Sequence, residues 1–188
     1  KLDEFSIDDL IFDREIPDDE RTQYIKNYQN NEKEFKNIIL GINSYLTYEK
    51  NKEIAQKFID LHFVEDWQAQ AELLHDSLDW APPVYGSENY GKAEHIEAMK
   101  MYQGMFDNIK FDADYWLAGV DPETGERDGS VRTYGTWSGI HTATGKEFKL
   151  KSYHPMAFKD GQIIGGGDYF DFGGFMASFD AVSEESNE

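Results

Sequence analysis

The sequence predicts an α+β fold: a cone-shaped cup of helices packed on a curved, mostly antiparallel sheet, with an added N-terminal arm and helix. Three observations lead there. Apolar residues recur at helical spacing through the first half of the chain, and from Phe111 onward the period becomes two. A single helical segment, Lys92 to Ile109, interrupts the strand pattern after a first short strand. The stretch from Lys149 to Asp171, KLKSYHPMAFKDGQIIGGGDYFD, reads as two strands joined at Asp160-Gly161, where Gly takes the left-handed backbone region at no steric cost.

The elements follow in order. Residues 1–17 mix single apolar residues with acids and read as an extended arm. Asp18, Asp19 and Glu20 sit where a helix dipole favours acids, and Tyr24, Tyr28, Phe35, Ile38 and Ile39 continue that helix to an end at Gly41. A second helix takes Tyr48 to about Phe63, with Ile54, Phe58, Ile59 and Leu61 as its buried stripe, and Asp66 caps a third, shorter one through Leu74. Ser77 to Trp80 forms a short strand that Pro82-Pro83 ends. After the helix at Lys92 to Ile109 come strands from Phe111, from Val131 to His141, from Glu147 to Phe158 and from Gln162 to Asp171. A last turn of helix lies within Phe172 to Phe179. This divides the chain into an acidic arm and accessory helix (1–47), an α+β domain (48–179) and a disordered acidic tail (180–188).

Charge excludes some functions. The formal net charge is −19. A nucleic acid or an anionic membrane needs a basic surface opposite it, so neither is an expected partner. Much of the excess sits at the ends: residues 1–20 hold nine acids against two bases, so the middle is only mildly acidic. Aromatic residues make up 15% of the chain, high for so polar a composition, which suggests a core or pocket lined with rings. No run approaches the ~20 apolar residues of a membrane span. Cysteine is absent, so thiol chemistry is excluded and the redox compartment is not indicated. A start at Lys1 fits either a cytoplasmic protein or an exported one without its signal segment.

The candidate site comes from the register of the last hairpin. A three-residue loop of Lys159, Asp160 and Gly161 pairs Phe158 with Gln162, Met156 with Ile164, His154 with Gly166, Ser152 with Asp168 and Leu150 with Phe170. His154 and Asp168 then share a face with Leu150, Met156, Ile164 and Phe170. Ionisable groups on an apolar face are costly to bury unless they pair or work. They are either catalytic or a satisfied buried pair that holds the strands in register. Gly166 opposite the imidazole leaves space for a ligand, and Trp80, Tyr102, Trp137 and Phe170 are candidates to line it, as plain core or as pocket. The face of Trp137 depends on whether the Thr144-Gly145 turn holds two loop residues or three. His62, His75, His95 and His141 lie in separate elements without metal-ligand spacing, so no metal or other cofactor is expected.

The order of several motifs carries a resemblance: paired helices ending at ELLHDSLDW, a helix opening GKAEHIEAM, the strand TYGTWSGIHTATGKEF and the ending FKDGQIIGGGDYFDFGGFM. Over about Tyr48 to Phe179 the chain resembles the nuclear transport factor 2-like superfamily, particularly SnoaL-like polyketide cyclases and ketosteroid isomerases. The resemblance implies a conical fold with a deep pocket, and dimers through the outer sheet face. In the cyclases a His and an Asp on the final two strands do acid/base work, and His154 and Asp168 match those places. In the isomerases the place of His154 holds an acidic residue, and the catalytic base lies near Asp79-Trp80, where Trp80 takes the inward position here.

Two functions follow as expectations. The first is a cofactor-free cyclase, isomerase or lyase: Asp168, its pKa raised by apolar surroundings, removes a proton beside a carbonyl, and His154 polarises the oxygen or returns a proton. Ser152, Met156 and Gly166 complete the ligand contacts with the rings named above. The second is a non-catalytic module that binds a small hydrophobic ligand, or a protein partner, with the same fold. Tyr153, Pro155 and Ala157, on the opposite face of the hairpin, are too apolar for open solvent and predict a homodimer.

Overall fold

The computed structural model describes residues 18–180; the expected extended arm (1–17) and the acidic tail beyond Asp180 lie outside the described residues. The elements run α1 (Asp18–Asp60), α2 (Trp67–Glu72), β1 (Leu74–Ala81), α3 (Lys92–Met105), β2 (Phe106–Val120), β3 (Arg127–His141), β4 (Glu147–Lys159), β5 (Gln162–Gly167) and α4 (Phe172–Asp180). The chain divides into two compact units, residues 1–44 and 45–188. In the described part of the first, Tyr24, Tyr28, Phe35, Ile38, Ile39, Leu40 and Ile42 are all exposed.

The expected break at Gly41 is absent, because α1 runs straight through it. One glycine costs a helix interior about 1 kcal/mol relative to alanine, and Gly41 does not adopt the positive φ that would terminate the helix. Further along α1, Tyr48, Ala55, Phe58 and Ile59 are buried. Asp66 caps α2 as expected, its Oδ1 accepting from the Ala69 N–H at 2.9 Å.

The five strands form one sheet in the order β1-β5-β4-β3-β2. β2 to β5 are antiparallel neighbours, and only β1 pairs parallel, with β5. The helix α3 is shorter than expected: Phe106 to Ile109 belong to β2, where Phe106 faces His141 and Asp107 faces Ile140. Apolar spacing of three at Phe106 and Ile109 suits a helix, but Asn108 takes a positive φ of 54° at a bulge that gives the strand the same two buried positions. A second irregularity between Ala113 and Tyr115 exchanges faces again, so Tyr115 and Leu117 are exposed while Trp116 packs against the core.

The last hairpin departs from its expected register in two places that compensate. Asp160 (φ 52°) and Gly161 (φ 79°) form a two-residue turn with Lys159 opposite Gln162, not a three-residue loop. That alone would invert the faces of β5. The register then shifts again between Ala157 and Phe158, leaving Ile164 as the extra residue and putting Ile163, not Ile164, in the core. Beyond it Met156 faces Gly166 and Tyr153 faces Tyr169, so His154 stands directly across from Asp168. The expected faces of both are kept, but their partners move by two residues. The strand also ends sooner than expected, at Gly167, and α4 is a full helix, not a single turn.

The outer face of the sheet carries a row of tyrosines. Tyr115, Tyr134, Tyr153 and Tyr169 are successive cross-strand partners from β2 to an isolated bridge two residues past β5. The Tyr134 and Tyr153 rings stack at 4.5 Å, and Tyr115 is 64% exposed. The inner face packs on one cluster around Phe58, Leu74, Trp80, Met99, Val131 and Ile163, and on a second around Phe106, Ile109 and Phe179.

Candidate functional site

Between those clusters lies a cavity of about 90 Å³, lined by 18 residues that include Phe58, His62, Trp80, His95, Met99, Tyr102, Trp137, His154, Met156, Asp168, Phe170 and Phe175. Cross-strand pairing delivers its polar centre. His154 Nδ1 lies 2.9 Å from Asp168 Oδ1. Trp80, at the end of β1, donates its Nε1–H to Asp168 Oδ2 at 2.9 Å. Trp137 donates its Nε1–H to His154 Nε2 at 2.9 Å, and Ser152 Oγ lies 2.8 Å from the same nitrogen.

These bonds settle the imidazole's tautomer. An indole N–H can only donate, so His154 Nε2 must accept, and the ring proton sits on Nδ1, where it is given to Asp168. Both oxygens of Asp168 therefore accept from N–H donors. Burial by itself would raise this carboxyl's pKa, but the hydrogen bond and charge of His154, the charge of His95 and the Trp80 hydrogen bond outweigh it and hold the pKa below the usual carboxylate range. The expected raised pKa is thus overturned: apolar surroundings are present, yet the two donors and the charges of His154 and His95 together favour the anion more than burial penalises it. Asp168 keeps 16% of its side-chain surface open.

Five of the residues expected to contact a ligand line the cavity: Trp80, Tyr102, Trp137, Met156 and Phe170. Trp137 faces inward, which resolves the ambiguity of the Thr144-Gly145 turn. Two do not line it. Ser152 is buried against His154. Gly166 offers no ligand space, because a Cβ there would stand 2.6 Å from Trp80 Cζ3: the indole already occupies the room.

Among the cavity residues that the sequence did not mark as part of the site are two histidines, His62 and His95. Their signal was their place on apolar helical stripes, four residues after Phe58 and four before Met99. Burial is the largest influence on both and lowers each pKa from 6.5 to about 4, so both rings are neutral at physiological pH. His95 packs against Phe58, stacked at 6.0 Å, and against Trp80 at 4.3 Å. Burial first, and then the charge of Asp168, raise the Tyr90 and Tyr102 phenols, which stay protonated. Among the described residues no group of three His, Asp or Glu is placed to hold a metal ion. Nor is any described helix long and apolar enough to cross a membrane. A surface depression lined by Pro82 to Tyr85 and Asp168 to Gly173 shares Asp168 and Phe170 with the cavity.

No family model matches the sequence. No curated protein matches it either. Solved structures do. A SnoaL-like polyketide cyclase candidate from Jannaschia sp. CCS1 superposes with a TM-score of 0.58 at 13% identity, covering 71% of this chain and 93% of that one. The chain has the nuclear transport factor 2-like fold. A hypothetical protein with a ketosteroid isomerase-like fold from Catenulispora acidiphila, solved with trimethylamine, gives 0.55 at 12% identity, covering 68% and 92%. An LEH-like epoxide hydrolase from M. tuberculosis gives 0.53 at 17% identity, covering 71% and 92%. At these identities the likeness is one of fold. The nuclear transport factor 2-like architecture accounts for the polar centre facing inward, since its helices pack on the sheet face that carries His154 and Asp168.

Proposed function

We propose that this protein is a cofactor-independent acid/base catalyst, of the cyclase, isomerase or lyase kind, acting on a small hydrophobic carbonyl compound. The observation that carries the reading is a carboxylate held ionised inside an apolar cavity: Asp168, bonded by His154 and Trp80. Asp168 takes the proton from the carbon next to the carbonyl; the C–H electron pair becomes the C=C bond, and the carbonyl π pair moves onto oxygen. The resulting enolate is reprotonated at another carbon, attacks a second carbonyl or expels a leaving group. His154 acts through Asp168, orienting it and sharing its charge. A carboxylate with a lowered pKa is a weak base, so the enolate oxygen needs its own hydrogen-bond donor.

The non-catalytic reading has one observation in its favour. Both oxygens of Asp168 are already satisfied, as in a pair that serves only to hold β4 against β5. Melting temperature does not separate the readings, because asparagine at 168 has one acceptor for two donors and destabilises the fold by about 1–3 kcal/mol in either case. Turnover does. Cyclohexanone in D2O exchanges its α-protons slowly alone. The catalytic reading expects the protein to accelerate this, and Asp168→Asn to cut the rate by roughly 10²–10⁴ with little change in affinity. No acceleration by the wild type leaves the binding module.

The same reading extends to assembly. We propose a two-fold homodimer through the outer face of the sheet, supported by the tyrosine row, of which Tyr115, Tyr134 and Tyr169 are exposed, and by Pro155 two residues from Tyr153 on the same strand.

A further inference from the structure

His154 has no nitrogen left for a ligand. Its Nδ1–H is given to Asp168, and its Nε2 accepts from Trp137. The group that meets the ligand's oxygen must be sought elsewhere in the cavity, and one buried polar atom among its lining residues lacks any partner: His95 Nε2. His95 is 4% exposed, so water does not satisfy it from outside. Its other nitrogen, Nδ1, lies 3.3 Å from the Tyr90 hydroxyl. Among the described residues that contact is the only hydrogen bond of the Tyr90 hydroxyl, and the phenol keeps its proton. If Tyr90 donates to Nδ1, the phenol proton is satisfied and the imidazole proton sits on Nε2. The opposite arrangement strands both the phenol proton and the Nε2 lone pair, which is one more unmet group at a part-buried contact.

We infer that His95, as a neutral imidazole, is the hydrogen-bond donor of this site: its Nε2–H receives the carbonyl oxygen of the ligand, and the enolate oxygen that forms from it. This rests on the carbonyl chemistry proposed above and adds a residue to it. The division of labour is then complete within the chain. Asp168 accepts the proton, His154 and Trp80 hold Asp168, Trp137 holds His154, and His95 stabilises the charge that develops on oxygen. The ring is positioned by its neighbours, since Phe58 and Trp80 pack against it and Tyr90 sets its tautomer. The recognised class is a small, planar, mainly apolar compound with a single carbonyl or enol oxygen. The cavity of about 90 Å³ is smaller than the roughly 150 Å³ that admits benzene, so a six-membered ring requires the lining to give slightly.

Two measurements test this. Long-range proton–nitrogen NMR of the imidazole rings in the ligand-free protein should show His95 as the Nε2–H tautomer; an Nδ1–H tautomer overturns the inference whatever the ligand. Phenol, which has the shape and oxygen of an enol, is then compared with toluene, which lacks the oxygen. Wild type should prefer phenol, His95→Phe should lose that preference by roughly five- to 100-fold while toluene binding is kept, and His95→Gln should restore part of it. Equal preference in wild type and His95→Phe, or no preference in wild type, overturns it. Retained preference for phenol with no exchange of cyclohexanone would count against the proposed catalysis and leave the assignment of His95 standing.

Discussion

Trp137 and His154 are joined by a bond that permits only one donor. The indole nitrogen donates to His154 Nε2 at 2.9 Å, across two neighbouring strands, and so keeps the imidazole proton on the side of Asp168. Trp137→Phe removes that donor while keeping a ring against Phe111 and His62. The expected result is a loss of about 1–2 kcal/mol in stability, and the appearance of an Nε2-protonated form of His154 in imidazole NMR. An unchanged tautomer in the variant would show that Ser152 or Asp168 alone decides it.

Acid should destabilise the fold in two stages. His62 and His95 titrate near 6.5 when unfolded and near 4 when folded, so between those values the unfolded chain binds more protons and stability falls as pH falls. Each imidazole contributes on the order of 2–3 kcal/mol across that window. Asp168, whose folded pKa is depressed, adds stability that is present above the ordinary carboxylate value and is lost as pH drops below it. Melting temperatures from pH 7 to about pH 2 check both stages, and His62→Phe should reduce the slope by roughly half between pH 6.5 and pH 4.

Gly166→Ala should destabilise by about 1–3 kcal/mol, because its Cβ would meet the Pro155 carbonyl oxygen at 2.5 Å and the Trp80 ring at 2.6 Å. Moving the indole also pulls its N–H away from Asp168. Gly41→Ala should instead stabilise slightly, since a Cβ there meets nothing within 4 Å and the residue is helical. Chemical unfolding of the two variants gives opposite signs on this account.

The tyrosine row predicts a dimer at micromolar concentration, read by sedimentation equilibrium. Tyr134→Glu and Tyr153→Glu place charge at the centre of the row and should shift the equilibrium to monomer without lowering helix content. A wild-type monomer at that concentration refutes the dimer.

By itself the sequence determined the class of fold and much of the site. Period-two alternation put His154 and Met156 on one face of β4, and helical spacing put Phe58 inward, because burial patterns are local properties of a chain. What depended on strand pairing was decided only in the folded protein. The partner of His154 is Asp168 rather than Gly166 because a two-residue turn and the register shift at Ile164 act together, and neither leaves a mark on the alternation. The inward turn of Trp137, the filling of Gly166 by Trp80 and the meeting of His62 and His95 with the dyad join residues from separate elements. The carboxylate's low pKa is of the same kind. Burial could be read from the apolar neighbours of Asp168, but the groups that together outweigh it, Trp80, His154 and His95, come from β1, β4 and α3 and are adjacent only once the sheet has formed.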